Sequence, residues 1–121
     1  MTKRFLIVDD SAGMRETLSQ IVVELGHEVV GTAADGIDAI TKYRTLQPDV
    51  ITLDIIMPKM GGIESLRLIK KLDPKAVVLM VSARTDQTAV ADCVKAGASH
   101  YLLKPFERDD VADVLGKVFP V

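Results

Sequence analysis

The stretch FLIVDD at residues 5–10 joins four consecutive apolar residues to two carboxylates. A similar arrangement occurs twice more, where VITL (50–53) precedes Asp54 and YLL (101–103) precedes Lys104. Short runs rich in Val, Ile and Leu are typical of strands buried on both faces of a parallel sheet. If these runs lie in one such sheet, three carboxylates and one ammonium group meet at the edge formed by the carboxyl ends of the strands.

Strand-like and helix-like patterns alternate five times along the chain. The predicted strands cover about residues 4–8, 28–32, 50–53, 77–81 and 100–103. The segments that follow them place apolar residues at three- and four-residue steps, the pattern of an amphipathic helix; the first such set is Met14, Leu18, Ile21, Val22 and Leu25. Five β–α units predict an α/β fold with an open, doubly wound, five-stranded parallel sheet flanked by five helices. For its strand order we take 2-1-3-4-5, the order that five-stranded sheets of the flavodoxin-like class commonly have.

Composition and charge narrow the classes of function. The 121 residues are 48% hydrophobic and 26% charged, which predicts one domain over residues 1–121 with a core that needs no disulfide. A net charge of −2 offers no basic surplus for nucleic acid. The single cysteine, Cys93, fits a reducing compartment. The first apolar run is too short for a signal peptide or a membrane span, so we expect a cytoplasmic protein with no membrane partner.

The carboxylates at the strand ends predict a metal site. In a sheet of order 2-1-3-4-5, the first and third strands are neighbours where the strand order reverses, and ligands bind there. Asp9 and Asp10 follow the first strand, and Asp54 follows the third. Like charges at such short range resist joint ionisation, so the group calls for a cation. A donor set of oxygens without His or Cys suits Mg²⁺, with Mn²⁺ as an alternative.

Two polar residues at the ends of neighbouring strands extend this predicted site. Lys104 follows the fifth strand and supplies a compact cation for a phosphoryl oxygen, while Ser82 ends the fourth strand and offers a hydroxyl donor to the same anion. Taken alone, Asp9 and Asp10 fit the N-cap of the following helix equally well, and Lys104 and Ser82 fit an exposed charge and a turn residue. The motifs GxxxxGK[ST] and GxGxxG do not occur, so neither predicts a nucleotide site.

Five short motifs resemble those of the receiver domains of two-component response regulators. They are LIVDDS (6–11), DIIMPKMGG (54–62), VSA (81–83), AGA (96–98) and LKPF (103–106). Each is weak alone, but their order and spacing together are specific, and the resemblance extends from about residue 4 to residue 118. Gly61 departs from the pattern, because an Asp or Asn commonly stands at that position.

The resemblance implies a role for each residue around the metal. Asp54 would be the nucleophile that accepts a phosphoryl group from a phosphohistidine. Asp10 would bind Mg²⁺ directly, Asp9 would act more through bound water, and the backbone carbonyl of Ile56 would complete the ligands from the protein. Ile56 and Arg84 would flank the phosphoryl group and modulate its lifetime.

The resemblance also implies how the phosphoryl group is held and sensed. Lys104 and Ser82 would bind its oxygens, and the peptide bond between Lys104 and Pro105 would be cis. Ser82 and Tyr101 would form a switch pair, in which the hydroxyl moves toward the phosphoryl group and the aromatic ring follows into the vacated space. This movement would reshape the surface of the fourth helix, the fifth strand and the fifth helix.

The implied function is a phosphorylation-activated switch that is not an enzyme beyond its own phosphotransfer and dephosphorylation. We expect a stand-alone chemotaxis regulator, because the runs DDSAGMR (9–15) and ASHY (98–101) look closest to that subgroup and no output domain follows residue 121. Its partners would be a histidine kinase or histidine phosphotransfer domain, a flagellar motor switch protein or another target, and a phosphatase.

Two other functions remain open from the sequence. One is a phosphorelay intermediate of the sporulation or cell-cycle kind. The more distant alternative is an aspartyl-phosphate phosphatase enzyme, which would use an Asp-x-Asp motif, a lysine and Mg²⁺. The contiguous Asp9-Asp10 pair and the lack of a cap domain for a small substrate count against that enzyme.

Overall fold

Strands and helices alternate strictly in the computed structural model, which describes residues 2–120. The strands are β1 (Arg4–Val8), β2 (Glu28–Ala33), β3 (Val50–Leu53), β4 (Val78–Ser82) and β5 (His100–Leu103). The helices are α1 (Ala12–Glu24), α2 (Gly36–Leu46), α3 (Gly62–Leu72), α4 (Gln87–Lys95) and α5 (Arg108–Val118). All five predicted strands are present; β2 extends one residue further than predicted, and β4 begins and ends one residue later.

The five strands form one parallel sheet of order β2-β1-β3-β4-β5, which confirms the predicted fold class. The register pairs Val8 at the end of β1 with Leu53 at the end of β3. The residues that follow these two strands therefore leave the sheet side by side. On the other side of β3, β4 and β5 end together, with Ser82 opposite Leu103.

Two apolar layers hold the helices against the sheet. Alternate side chains of β1 enter opposite layers, because successive residues of a strand point to opposite faces. Leu6 and Val8 pack with residues of α2, α3 and α4, whereas Phe5 and Ile7 pack with residues of α1 and α5. Every residue of β3 and β4 is buried, as the continuous apolar runs predicted. No helix within residues 2–120 has the length and apolar character needed to cross a membrane.

Tyr43 joins α2 to the end of α3. Its side chain is buried in the layer beneath these helices, and its hydroxyl donates a hydrogen bond to Asp73 Oδ2 at 3.1 Å. Burial and this hydrogen bond raise the pKa of Tyr43 to about 12. A tyrosine in the unfolded chain loses its proton at about pH 10. Between these two pKa values Tyr43 loses its proton in the unfolded chain but keeps it in the folded protein. Tyr43 therefore lowers the free energy of unfolding as the pH rises above about 10.

We expect Tyr43→Phe to remove this part of the alkaline loss of stability. The free energy of unfolding, measured in urea at about pH 8 and about pH 11, should fall less in the variant than in the parent protein. The other groups that titrate in this range are present in both proteins, so they cancel in the comparison. An equal fall in both proteins would show that Tyr43 does not hold its proton as described.

Candidate functional site

Three carboxylates converge at the carboxyl ends of β1 and β3. Asp9, Asp10 and Asp54 each offer an oxygen that lies within 4.8 Å of the others, which confirms the convergence predicted from the strand ends. Asp9 and Asp54 are held in place by backbone hydrogen bonds that continue the sheet. Asp9 N donates to Ala33 O at 3.1 Å, and Asp54 N donates to Val8 O at 3.3 Å. Asp9 is buried and Asp10 is exposed, so the group spans the boundary between core and solvent.

Lys104 brings its ammonium group between two of these carboxylates. Its Nζ lies 2.7 Å from Asp9 Oδ2 and 3.0 Å from Asp54 Oδ2, and the three side chains are only 16%, 5% and 13% exposed. Burial by itself lowers the pKa of Lys104, but the hydrogen bonds to the two carboxylates outweigh it and the pKa is raised overall. Lys104 therefore remains charged, and its stabilising contribution is lost only as the pH rises above the ordinary lysine value.

The backbone around Lys104 also anchors it to the sheet. Its N–H donates to Ser82 O at 2.9 Å, and the peptide bond to Pro105 is cis, as the resemblance implied. The sequence predicted Lys104 as a cation for a phosphoryl oxygen. Its direct contacts with Asp9 and Asp54 were not predicted, because the reach of one long side chain cannot be inferred from strand order.

Asp9 is held by the start of α1 without capping it. The helix N-cap is Ser11, whose Oγ accepts from Met14 N at 3.2 Å. Asp9 instead accepts from Ser11 N through Oδ1 at 2.9 Å, and its backbone carbonyl accepts from Arg15 Nη1 at 2.7 Å. The alternative interpretation of the aspartate pair as N-cap residues is therefore wrong. One oxygen of Asp9 orders the turn, and the other faces Lys104.

The loop that follows Asp54 folds back tightly on this residue. A Cβ at Gly62 would lie 1.9 Å from the backbone oxygen of Asp54, so only glycine fits there. Its N–H donates to Ile55 O at 2.8 Å and closes the loop. Gly61 has an extended backbone with φ −72°, which any residue can adopt. The glycine in place of Asp or Asn therefore does not change the path of the loop. It leaves the N-terminus of α3 without a hydrogen bond from a capping side chain.

Ser82 and Tyr101, the predicted switch pair, meet through the backbone of Arg84. The buried Ser82 Oγ accepts from Arg84 N at 3.2 Å. The Tyr101 hydroxyl donates to Arg84 O at 2.8 Å, and burial raises the pKa of this tyrosine. The sequence predicted the two side chains and assigned Arg84 to the phosphoryl group, but it did not predict that the backbone of Arg84 lies between them. The path of the loop between β4 and α4 carries no pattern that would have revealed it.

The two residues expected to modulate phosphoryl lifetime differ in their surroundings. The side chain of Ile56 is 66% exposed and lies two residues beyond Asp54. The guanidinium of Arg84 forms an ion pair with Asp86 at 2.9 Å. Asp86 is the N-cap of α4, so the Arg84 side chain is tied to that helix.

The site fits a divalent cation of the hard, oxygen-binding kind. Its donors are carboxylates from two adjacent strand ends, with no His or Cys in the group. One ammonium group cannot neutralise three carboxylates, so a local excess of negative charge remains. Mg²⁺ takes oxygen ligands and keeps several waters, and exposed Asp10 leaves one side of the group open to solvent.

Comparison with known proteins identifies the class to which this fold and site belong. Residues 5–115 match the response regulator receiver domain, and the chain belongs to that family. Receiver domains bind Mg²⁺ through an aspartate cluster such as the one formed by Asp9, Asp10 and Asp54.

Several relatives that this chain matches over almost their whole length are chemotaxis proteins. The chain is 45% identical to the chemotaxis protein CheY of Thermotoga maritima, covering 98% of each chain. It is 44% identical to CheY of Bacillus subtilis, covering 97% of this chain and 98% of the relative. The crystal structure of the CheX–CheY–BeF3–Mg complex from Borrelia burgdorferi contains a similar chain, with 40% identity, a TM-score of 0.94 and coverage of 98% of this chain and 90% of that one. These relatives support a phosphorylation switch of the chemotaxis response regulator type.

Proposed function

We propose that this protein is a chemotaxis response regulator that is switched on when Asp54 accepts a phosphoryl group from a histidine kinase. The observation that carries the proposal is the position of Lys104, whose ammonium lies 3.0 Å from Asp54 Oδ2 and 2.7 Å from Asp9 Oδ2. A carboxylate held beside a partly buried cation and two further carboxylates has the charges that phosphoryl transfer needs.

The transfer step forms one bond and breaks another. A carboxylate oxygen of Asp54 attacks the phosphorus of a phosphohistidine, the P–N bond breaks, and the imidazole leaves with the electron pair. Asp9, Asp10, Asp54 and the Ile56 carbonyl would hold Mg²⁺, or Mn²⁺, which when bound neutralises phosphoryl and carboxylate charge.

Lys104 and Ser82 bind the transferred group in this proposal. The Lys104 ammonium is within one hydrogen bond of Asp54, so it can transfer that hydrogen bond from the carboxylate to a phosphoryl oxygen. The Ser82 hydroxyl accepts from Arg84 N and keeps its own proton to donate to a second oxygen. Neither residue needs to change its protonation state, which suits a site that works by positioning and charge neutralisation.

The output surface in this proposal comprises α4, β5 and α5. Tyr101 lies on β5 and contacts the loop that leads into α4, so its movement would alter this surface. The target would be a flagellar motor switch protein, and a phosphatase would end the signal. These roles would place the protein in the cytoplasm, where it would act on separate proteins. The near-complete coverage of the CheY relatives supports this assignment.

A transfer assay tests the choice of donor and target. A chemotaxis histidine kinase from a related organism is loaded with radioactive phosphate and mixed with this protein and Mg²⁺. We expect the label to move to the parent protein but not to Asp54→Asn, and the loaded protein to bind the motor switch protein more tightly. Onward transfer to a histidine phosphotransfer domain, without binding to the motor switch protein, would instead identify a phosphorelay intermediate.

Ile56 is expected to lengthen the life of the phosphoryl group. Its side chain is branched and mostly exposed, and it follows Asp54 by two residues. In this proposal it obstructs water that attacks in line. We expect Ile56→Asn to lose its phosphoryl group several-fold faster, as measured by the decay of the labelled protein after the donor is removed. Ile37→Asn is the matched control, because Ile37 is also an exposed isoleucine but lies on α2. Equal or slower loss in Ile56→Asn would contradict this role.

A further inference from the structure

We propose that Arg84 is a positioning residue that couples the start of α4 to Tyr101, by binding Asp86 with its side chain and the Tyr101 hydroxyl with its backbone carbonyl. The inference deepens the proposed function and rests on it, because Tyr101 is the residue whose position that function reads out. It concerns the equilibrium between the bonded and unbonded positions of Tyr101 in the unphosphorylated protein. It assigns to Arg84 and Asp86 a role distinct from phosphoryl binding.

The side-chain half of this coupling is a two-pronged contact. Arg84 Nε lies 3.0 Å from Asp86 Oδ1, and Nη2 lies 2.9 Å from Oδ2. Parallel hydrogen bonds of this kind fix the orientation of both groups as well as their distance. Asp86 Oδ2 also accepts from Ala89 N at 3.1 Å, as the N-cap of α4. One carboxylate therefore holds both the guanidinium and the first turn of the helix.

The backbone half connects the same residue to the switch pair. Arg84 N donates to Ser82 Oγ at 3.2 Å, and Arg84 O accepts from Tyr101 at 2.8 Å. Only residues 83–86 separate β4 from α4, so a side chain that fixes Arg84 relative to Asp86 constrains much of this loop. The contact with Asp86 thereby keeps the Arg84 carbonyl presented to Tyr101.

The expected strength of this coupling depends on how exposed the Arg84 and Asp86 side chains are. The two side chains are 44% and 46% exposed, and pairs of this kind contribute modestly and are weakened by salt. The pairing raises the pKa of Arg84 and lowers that of Asp86, so both stay charged at neutral pH. A contribution of this size changes the ratio of hydrogen-bonded to unbonded Tyr101 by about two- to fivefold, so both positions of the ring stay accessible.

Asp86→Asn and Arg84→Gln separate this coupling from ordinary capping. Asparagine can still accept the hydrogen bond from Ala89 N but no longer pairs as an anion with the guanidinium. Glutamine leaves Asp86 and its cap untouched. Asp86→Ala removes both the cap and the charge, so it measures the structural role of the cap.

The readout is the ring signal of Tyr101 in NMR of protein labelled at tyrosine, with no phosphodonor added. The chain has two tyrosines, so Tyr101→Phe assigns the signals and Tyr43 serves as an internal reference. We expect both Asp86→Asn and Arg84→Gln to raise the ratio of unbonded to hydrogen-bonded Tyr101 by about two- to fivefold, with no further rise in the double variant. Salt at about 1 M should move the parent protein the same way.

An unchanged Tyr101 signal in both charge variants, or a change only in Asp86→Ala, would overturn the proposal. This result is distinguishable from failure of the proposed function, because the NMR measurement needs no phosphoryl group. Failure of Asp54 to accept a phosphoryl group would overturn the proposed switch instead, whatever the Tyr101 signal shows.

Discussion

Gly62→Ala should destabilise the protein by about 3 kcal/mol, at the upper end of the usual cost of overpacking. The added Cβ would lie 1.9 Å from the Asp54 backbone oxygen and 2.9 Å from the Cα of Ile55. Both atoms belong to backbone, so no flexible side chain can move aside. The loop that follows Asp54 would have to open, and the site would lose its geometry together with the stability. Urea unfolding measures the change in free energy.

Gly116→Ala is the matched control for this substitution. Gly116 lies within α5, and nothing lies within 4 Å of a Cβ placed there. Alanine is the better helix former, so we expect this variant to be more stable than the parent by about 0.5–1 kcal/mol. A Gly62→Ala protein that is as stable as the parent would contradict the described packing of the loop.

Lys104→Met should cost about 3 kcal/mol at neutral pH, because it leaves the carboxylates of Asp9 and Asp54 without their cation. Both side chains are nearly buried, so solvent cannot fully replace the lost partner. Saturating Mg²⁺ should recover part of the loss, since a ligand that binds only the folded state stabilises it. Thermal or urea unfolding with Mg²⁺ and with EDTA measures both effects.

Lys42→Met provides the comparison for an exposed lysine. Lys42 pairs with Asp38 one helical turn away, and both side chains are well exposed. An exposed pair of this kind contributes only about 0.3–0.5 kcal/mol, and Mg²⁺ should leave the variant unaffected. Equal losses in Lys104→Met and Lys42→Met, or no response of Lys104→Met to Mg²⁺, would contradict the description of Lys104 as the cation of the acidic site.

The fold could be predicted from the sequence because it depends on local patterns. Buried parallel strands such as β3 and β4 need continuous apolar runs, and each helix shows its own apolar stripe. The convergence of Asp9, Asp10 and Asp54 followed from those patterns together with the strand order common to five-stranded sheets of this class, since residues after neighbouring parallel strands meet at one edge. The strand order placed these residues correctly without any knowledge of side-chain contacts.

The contacts made by long side chains and by loop backbone could not be predicted in the same way. Lys104 reaches Asp9 across 95 positions of sequence, and its choice of partners depends on rotamers and burial. Arg84 lies between Ser82 and Tyr101 because of the path taken by one short loop. Asp86 could be recognised afterwards as a capping residue before α4, but its pairing with Arg84 depends on a side-chain geometry that no sequence pattern specifies.

The proposed switch requires Asp54 to accept a phosphoryl group in a Mg²⁺-dependent reaction. Intact-mass measurement after incubation with acetyl phosphate tests it most directly, with Asp113→Asn as the control for an exposed carboxylate on α5. We expect one added phosphoryl group in the parent and in Asp113→Asn, none with EDTA, none in Asp54→Asn, and removal by hydroxylamine, which cleaves acyl phosphates. An adduct that persists in Asp54→Asn, or a parent protein that stays unmodified in donor and Mg²⁺, would show that Asp54 is not the phosphoryl acceptor.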